Sequence, residues 1–133
     1  MSRPIFVNLP TRNIGRSRTF YTGLGWEIHP QLSDENAICV VVSDTMYLVI
    51  LTKGYVQRHT GQPIPYPRTD PCGDNVFCEA SRREVDDLVR RALDSGGTEP
   101  RPPRDLGAIY YRGVLDPDGN RLGFVHMDAA LVA

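Results

Sequence analysis

The sequence contains few cysteines, few histidines and no long hydrophobic run. Its three cysteines, Cys39, Cys72 and Cys78, are odd in number and lack C-x-x-C spacing, which argues against a disulfide framework and a thiolate zinc site. We therefore expect a reducing, cytoplasmic setting. Residues 1–9 are too short and too interrupted by Pro4 for a signal peptide, and no apolar run approaches the roughly 18 residues that cross a bilayer.

An excess of positive charge is also absent. The chain has 15 basic and 16 acidic side chains, and its formal net charge is −1 at pH 7. A nucleic-acid-binding face would normally leave a small domain basic, so we expect no nucleic-acid partner and, without a membrane span, no membrane partner. What is present is a length of 133 residues with 41% hydrophobic and 23% charged residues, the composition of a soluble globular domain.

Residues 1–53 have the pattern of a strand, a helix and three further strands. Residues 5–9 alternate between two faces and lie between two prolines, which predicts the first strand. Asn13 is a favourable N-cap for a helix that should end near Gly23 and Gly25. The three strands predicted after this helix cover residues 26–29, 36–42 and 45–51.

Residues 72–133 repeat this order. A strand is predicted over residues 75–80, and Ser81 and Glu84 then form a capping-box pattern. The helix that follows has one apolar face, made by Val85, Leu88, Val89, Ala92 and Leu93. Three more strands are predicted over residues 98–103, 108–115 and 121–127. Pro117 and Gly119 favour a chain reversal between the last two.

Residues 54–71 form the predicted linker between the two segments. Prolines cannot sit inside a central strand, and the linker holds four of them, Pro63, Pro65, Pro67 and Pro71. Its first part, residues 55–60, is predicted to form a helical turn. Because neither segment alone has enough residues to enclose a core, we expect one domain over residues 1–133, built by internal duplication.

Two stretches of the sequence resemble a known family. The turn D-P-D-G-N at residues 116–120 and the helix N-I-G-R-S-R-T-F-Y-T-G-L-G at residues 13–25 are similar to motifs of the vicinal oxygen chelate superfamily, the glyoxalase, bleomycin-resistance and extradiol dioxygenase relatives. The resemblance implies an α+β fold in which two βαβββ modules form a curved mixed sheet around a cavity. It does not specify function, since the family spans isomerases, dioxygenases, thiol transferases and drug-sequestering proteins.

The resemblance also implies where metal ligands would lie. The family's histidines and carboxylates correspond to Phe6, a position near Ile50, Asp74 or Asn75, and Gly123. Of these only Asp74 could bind a cation, and a metal site needs at least three ligands. The resemblance therefore implies a member that lacks the usual metal ligands and has no metal cofactor.

A mostly apolar cavity is predicted once those positions are taken to face inward, because side chains alternate along a strand. Such a cavity would bind a ligand by burying non-polar surface, at about 25 cal/mol per Å². The missing side chain of Gly123 would leave room for a ring, and one of the adjacent residues Tyr110 and Tyr111 should also face the cavity. The alternative is that these residues only fill a core. The predicted ligand-binding residues are Phe6, Asn8, Met46, Leu48, Ile50, Tyr110, Gly123, Val125 and Met127.

The remaining polar candidates are weaker. His126 shares the strand face opposite Gly123, which favours a core or interface histidine, and His29 and His59 are predicted to be solvated. Whether Cys78 or Glu79 faces the cavity is open, because the family pattern and the polar character of the strand disagree. Cys39 and Cys78 lack a nearby histidine in sequence that could make either a nucleophile.

These observations lead to three functional hypotheses. The first is a metal-independent protein that binds a small apolar or aromatic molecule such as an antibiotic, with no catalytic residue assigned. The second is a glyoxalase-like lyase or isomerase, or a dioxygenase-related enzyme, with relocated ligands drawn from His126, Glu79 and Cys78. The third is a metal-free acid/base enzyme built on Glu79. The resemblance also implies a homodimer.

Overall fold

Two four-stranded sheets make up the fold. The structure is a computed structural model that describes residues 3–61 and 74–129. No helix in these two ranges has the length and apolar character needed to cross a membrane. The elements are β1 (Ile5–Thr11), α1 (Ile14–Gly23), β2 (Glu27–Ile28), β3 (Ala37–Val41), β4 (Met46–Thr52), α2 (Lys53–Thr60), β5 (Asn75–Cys78), α3 (Arg82–Asp94), β6 (Arg104–Asp105), β7 (Ile109–Leu115) and β8 (Arg121–Met127).

The two sheets have the same topology. The strand order is β1-β4-β3-β2 in the first sheet and β5-β8-β7-β6 in the second. In each sheet the first strand pairs in parallel with the last, and the other neighbours pair antiparallel. The predicted pair of βαβββ modules is therefore confirmed, and α2 follows the first module as the helix predicted within residues 55–60.

Both main helices begin at the predicted caps. The Asn13 side chain accepts a hydrogen bond of 2.9 Å from the backbone N–H of Arg16. The Ser81 hydroxyl accepts one of 3.1 Å from the N–H of Glu84, and the Glu84 carboxylate accepts one of 2.9 Å from the N–H of Ala80. Each cap satisfies helix donors that have no partner within the helix, which explains why the starting residues were readable from sequence.

The prediction of a strand over residues 98–103 is wrong. Thr98 makes one bridge to Leu115, and the paired strand comes only at residues 104–105. Pro100, Pro102 and Pro103 have no N–H to donate to a ladder, so this segment cannot pair continuously. The linker prolines and Cys72 lie outside the described residues.

The core lies between the modules, on the face of each sheet that packs against α1 or α3. Trp26 connects the two halves, with ring centroids 5.4 Å from Phe77 and 6.3 Å from Phe124. The buried apolar cluster contains Phe20, Tyr21, Leu24, Ile38, Val40, Leu48, Ile50, Phe77, Val85, Leu88, Val89, Ala92, Val114, Leu122 and Phe124.

Candidate functional site

The face of each sheet opposite this core, here called the open face, carries part of the predicted site. Phe6 lies across from Tyr47 in the parallel pairing of β1 and β4, and Asn8 lies across from Val49. The rings of Phe6 and Tyr47 stack with centroids 4.7 Å apart and planes 11° apart. Because Phe6 is 48% exposed, the stack presents an aromatic surface to solvent.

Three predicted site residues do not share this face. The same register pairs Val7 with Leu48 and Leu9 with Ile50, so Met46, Leu48 and Ile50 alternate onto the core side. Leu48 is 1% exposed and Ile50 is fully buried. The expectation that these residues face inward together with Phe6 is wrong, because the pairing offset between two distant strands decides which residues share a face.

In the second module a tyrosine lies over Gly123. A Cβ atom added at Gly123 would come within 2.6 Å of the Tyr111 ring, and one added at Gly113 would come within 2.9 Å of the Tyr111 hydroxyl. That hydroxyl donates a hydrogen bond of 2.6 Å to Asp74. Burial, and then the bond to Asp74, raise the pKa of Tyr111. The room expected at Gly123 for a ligand ring is thus taken by a ring of the protein itself.

Tyr110, one of the predicted ligand-binding residues, faces the opposite side. Its hydroxyl donates a 2.6 Å hydrogen bond to Asp86 on α3, and the Arg82 guanidinium lies 4.9 Å from its ring centroid. His126 lies across from Tyr110 in the sheet, with its Nδ1 3.0 Å from the Glu79 carbonyl oxygen. The predicted facing of His126 is therefore confirmed, and Tyr111 rather than Tyr110 is on the open face.

The open question at β5 is decided by its pairing with β8. Val76 lies across from Gly123 and Cys78 across from Val125, so Cys78 is on the open face and is exposed. Glu79 lies beside Trp26 and α3, where burial and then the nearby Glu84 raise its pKa. Cys78 and Glu79 therefore project to opposite sides, and the proposed relocated metal set is not brought together.

The other candidates differ in burial and in facing. Cys39 is buried, which raises the pKa of its thiol. His29, predicted to be solvated, is partly buried, and its Nδ1 has no hydrogen-bond partner within the described ranges. The side chain of His59 lies outside the described residues. Val125 is buried and Met127 partly buried, and their spacing along β8 gives both the same facing as Gly123.

Two neighbouring cavities lie along this part of the molecule. The first, the seam groove, has a volume of about 270 Å³ and runs between Ile5, Val7, Met46, Tyr47 and Leu48 on one side and Asp74, Asn75, Val76 and Phe77 on the other. The second, the arginine pocket, has about 480 Å³ and is lined by Asp74, Arg101, Arg104, Tyr111, Gly113 and Arg121. Asp74 borders both cavities, so they adjoin.

The D-P-D-G-N turn holds the two modules together through buried carboxylates. Asp118 accepts hydrogen bonds of 2.6 Å from the Thr11 hydroxyl, 2.9 Å from the backbone N–H of Arg12 and 2.8 Å from the Arg16 guanidinium. Asp116 accepts a 2.7 Å bond from the Tyr21 hydroxyl, whose pKa is raised by burial and then by that carboxylate. The sequence indicated turn formers here, whereas the structure gives them long-range partners.

Comparisons with other proteins support this fold. A family model described as bleomycin resistance protein-like N-terminal matches residues 3–43. No protein of curated function matches the chain. Similar solved structures include a glyoxalase-related enzyme from Fulvimarina pelagi, with 20% identity, coverage of 95% of this chain and 88% of that chain, and a TM-score of 0.78. A glyoxalase/bleomycin resistance protein/dioxygenase family enzyme from Burkholderia phytofirmans PsJN has 19% identity, coverage of 92% and 96%, and a TM-score of 0.76.

A third similar structure is lactoylglutathione lyase from Agrobacterium tumefaciens, with 20% identity, coverage of 98% of this chain and 96% of that chain, and a TM-score of 0.67. The chain has the fold of these glyoxalase and bleomycin resistance protein structures, and the family model covers its residues 3–43. The fold that the helix and turn motifs imply is confirmed. Identities near 20% establish the fold and leave the activity of this member to its own residues.

The described residues do not fit the metal site that the resemblance implies. In the part of the chain that the structure describes, no three histidine, cysteine, aspartate or glutamate side chains are grouped to hold an ion. Phe6 stacks on Tyr47 at one implied ligand position, and the Tyr111 ring covers Gly123 at another. Asp74 supplies one carboxylate, which accepts the Tyr111 hydroxyl bond.

Sequence reasoning missed Tyr47 and the arginines of the pocket, and of the two adjacent tyrosines it placed Tyr110 rather than Tyr111 among the ligand-binding residues. For Tyr111 a signal was available: counting outward from the turn pairs Gly123 with Gly113, and Tyr111 shares the face of Gly113 because it lies two residues away on the same strand. For Tyr47 no local signal exists, because its contact with Phe6 depends on the parallel pairing of strands about 40 residues apart.

Proposed function

We propose that this chain is a metal-independent binding protein for a small apolar or aromatic molecule, such as an antibiotic. The observation that carries the proposal is the seam groove, which brings side chains of β1, β4 and β5 around one apolar space. Tyr47 lines this groove and also stacks on Phe6, so the groove continues into an exposed aromatic surface.

The size and lining of the groove support a small ligand. Its volume of about 270 Å³ is slightly below the roughly 300–1,000 Å³ typical of drug-sized sites. Burial of non-polar ligand surface would supply about 25 cal/mol per Å². The side chain of Asn75 and the carboxylate of Asp74 are the polar groups at its edge that could orient the ligand.

Metal independence is supported by the side chains that stand at the implied metal-ligand positions. The open face offers aromatic and aliphatic side chains where the superfamily has histidine and glutamate, and Asp74 is engaged by Tyr111. A ligand in the groove would therefore be held by contact area and orientation. We propose that sequestration, and hence resistance to a toxic small molecule, follows from this binding.

Neutral aromatic antibiotics and metabolites are expected to bind with micromolar affinity in isothermal titration, and chelation with EDTA should leave the affinity unchanged. Val76 is 49% exposed and borders the groove, so Val76→Asp places a charge against the ligand and should weaken binding by about tenfold or more. Leu106→Asp, at a leucine that is 63% exposed and not in the groove lining, is the matched control.

Two results would contradict this proposal. One is a panel in which nothing binds more tightly than about millimolar, the affinity at which a site contributes only about 4 kcal/mol. The other is stoichiometric zinc, nickel, manganese or iron in protein purified without an affinity tag.

We also propose that the protein is a homodimer in which the aromatic open face of the first module meets a second copy of the chain. Phe6 is 48% exposed on this face and its ring stacks on Tyr47, and burying such an aromatic surface favours self-association. In analytical ultracentrifugation the measured mass of the wild type should be twice that of one chain. The measured mass of Phe6→Asp should be that of a monomer. Leu32→Asp, at another exposed leucine, should remain dimeric. A wild type that stays monomeric at high concentration would refute the dimer.

A further inference from the structure

The arginine pocket holds more positive charge than the apolar groove beside it. Among the described residues, three guanidinium groups, from Arg101, Arg104 and Arg121, line this space of about 480 Å³, and Asp74 supplies the one carboxylate. Within residues 3–61 and 74–129, none of the three arginines forms an ion pair with a carboxylate. Elsewhere in the same module Arg112 is held between Glu99 and Asp86.

The sheet register explains why these groups converge. Arg104 lies directly across from Tyr111 on neighbouring strands, so both project from the open face. Arg121 is two residues before Gly123 on β8 and shares its face. Gly113, between them, has no side chain, and the pocket floor is therefore its backbone and the Tyr111 ring.

The third arginine is held by a stiff segment. Arg101 lies between Pro100 and Pro102, and proline fixes the backbone φ angle while removing an N–H donor. Both prolines line the pocket with Arg101. A guanidinium on such a segment loses less conformational freedom when it binds, which favours recognition by this residue.

Asp74 does not cancel the charge of the pocket. Its Oδ2 atom accepts the 2.6 Å hydrogen bond from Tyr111, so part of the hydrogen-bond-accepting capacity of this carboxylate is already used. Three converging guanidinium groups repel one another unless an anion lies between them, and their planar donors match the oxygen atoms of carboxylates and phosphates. The lining therefore suits an anionic group better than a neutral one.

We infer that the arginine pocket is an anion subsite, which binds a carboxylate or phosphate group of the same ligand whose apolar part lies in the seam groove. The two cavities share Asp74, so one molecule can reach both. This inference rests on the proposed function and narrows its ligand class to amphipathic molecules with an apolar or aromatic body and one anionic group.

Three ring compounds of similar size test the inference: benzoate, phenyl phosphate and neutral benzamide, each titrated calorimetrically in a phosphate-free buffer of low ionic strength. At least one anion should bind about tenfold more tightly than benzamide, because guanidinium groups donate stronger hydrogen bonds to a charged oxygen than to a neutral amide. The tighter of the two anions identifies the group as carboxylate or phosphate. Arg121→Gln and Arg101→Gln should remove this preference and leave benzamide affinity unchanged.

The control is Arg83→Gln, which removes an exposed arginine of α3 that is not among the pocket residues and should keep the preference. The inference is overturned, while the proposed function stands, if benzamide binds as tightly as the anions or if the preference survives in both pocket variants. It is also overturned if Arg83→Gln weakens the anions equally. If benzamide does not bind but inorganic phosphate binds in an Arg121-dependent way, the anion subsite stands and the apolar groove proposal fails.

Discussion

Replacing Asp118 with alanine is expected to lower the free energy of unfolding by about 2–4 kcal/mol, because a buried carboxylate is removed from three donors at once. The Asp118 side chain is fully buried and accepts bonds from the Thr11 hydroxyl, the Arg12 N–H and the Arg16 guanidinium. Arg16 is half exposed and can be hydrated in the variant, but the Thr11 hydroxyl and the Arg12 backbone N–H lose a charged acceptor.

Urea denaturation followed by circular dichroism measures this change. Asp94→Ala, which removes an exposed aspartate at the end of α3, is the control and should change the free energy of unfolding by less than about 0.5 kcal/mol. If Asp118→Ala loses no more than this control, the turn does not join the first module to the second in the way described.

We expect Phe124→Ala to lower the free energy of unfolding far more than Phe6→Ala does, although both variants truncate a phenylalanine. Phe124 is fully buried, with ring centroids 6.0 Å from Phe77 and 6.3 Å from Trp26, so truncation leaves a cavity between the modules. We expect a loss of about 3–5 kcal/mol. Phe6 is 48% exposed, and its truncation should cost under about 1 kcal/mol.

The same two variants distinguish the role of the open face in self-association from the role of the core in stability. Phe6→Ala should remain folded while losing self-association, whereas Phe124→Ala should show its defect in the midpoint of urea unfolding. Denaturation at two protein concentrations makes any contribution of dimerisation visible, because the stability of a dimer depends on concentration. A large stability loss in monomeric Phe6→Ala would show that this face is part of the core.

Local chemistry explains what could be predicted. Asn13 and Ser81 cap their helices as expected, because a cap depends on residues within one helical turn. Gly119 has a φ of 91°, the left-handed conformation that its place in the D-P-D-G-N turn requires. With two such helices and the turn in place, the order of strands follows from alternation and from the prolines between them.

The facing of the strands could not be read in the same way. A shift of one residue in pairing moves every side chain to the other face, and the offset between β1 and β4 is set by tertiary contacts. Tyr47 therefore occupies the face that was assigned to Met46 and Leu48, and both of these still reach the edge of the seam groove. Pairing of β7 with β8 likewise puts Tyr111, and not the predicted Tyr110, on the open face.

The sequence by itself determined the two modules, the helix starts, the turn and the lack of chelating side chains at Phe6 and Gly123, since each depends on residue type and near neighbours. Only the tertiary structure decided that Tyr111 fills the space over Gly123, that Asp118 joins the turn to β1 and α1, and that three arginines surround one pocket. These contacts join residues far apart in sequence, and burial and strand pairing, which act on the whole fold, bring them together.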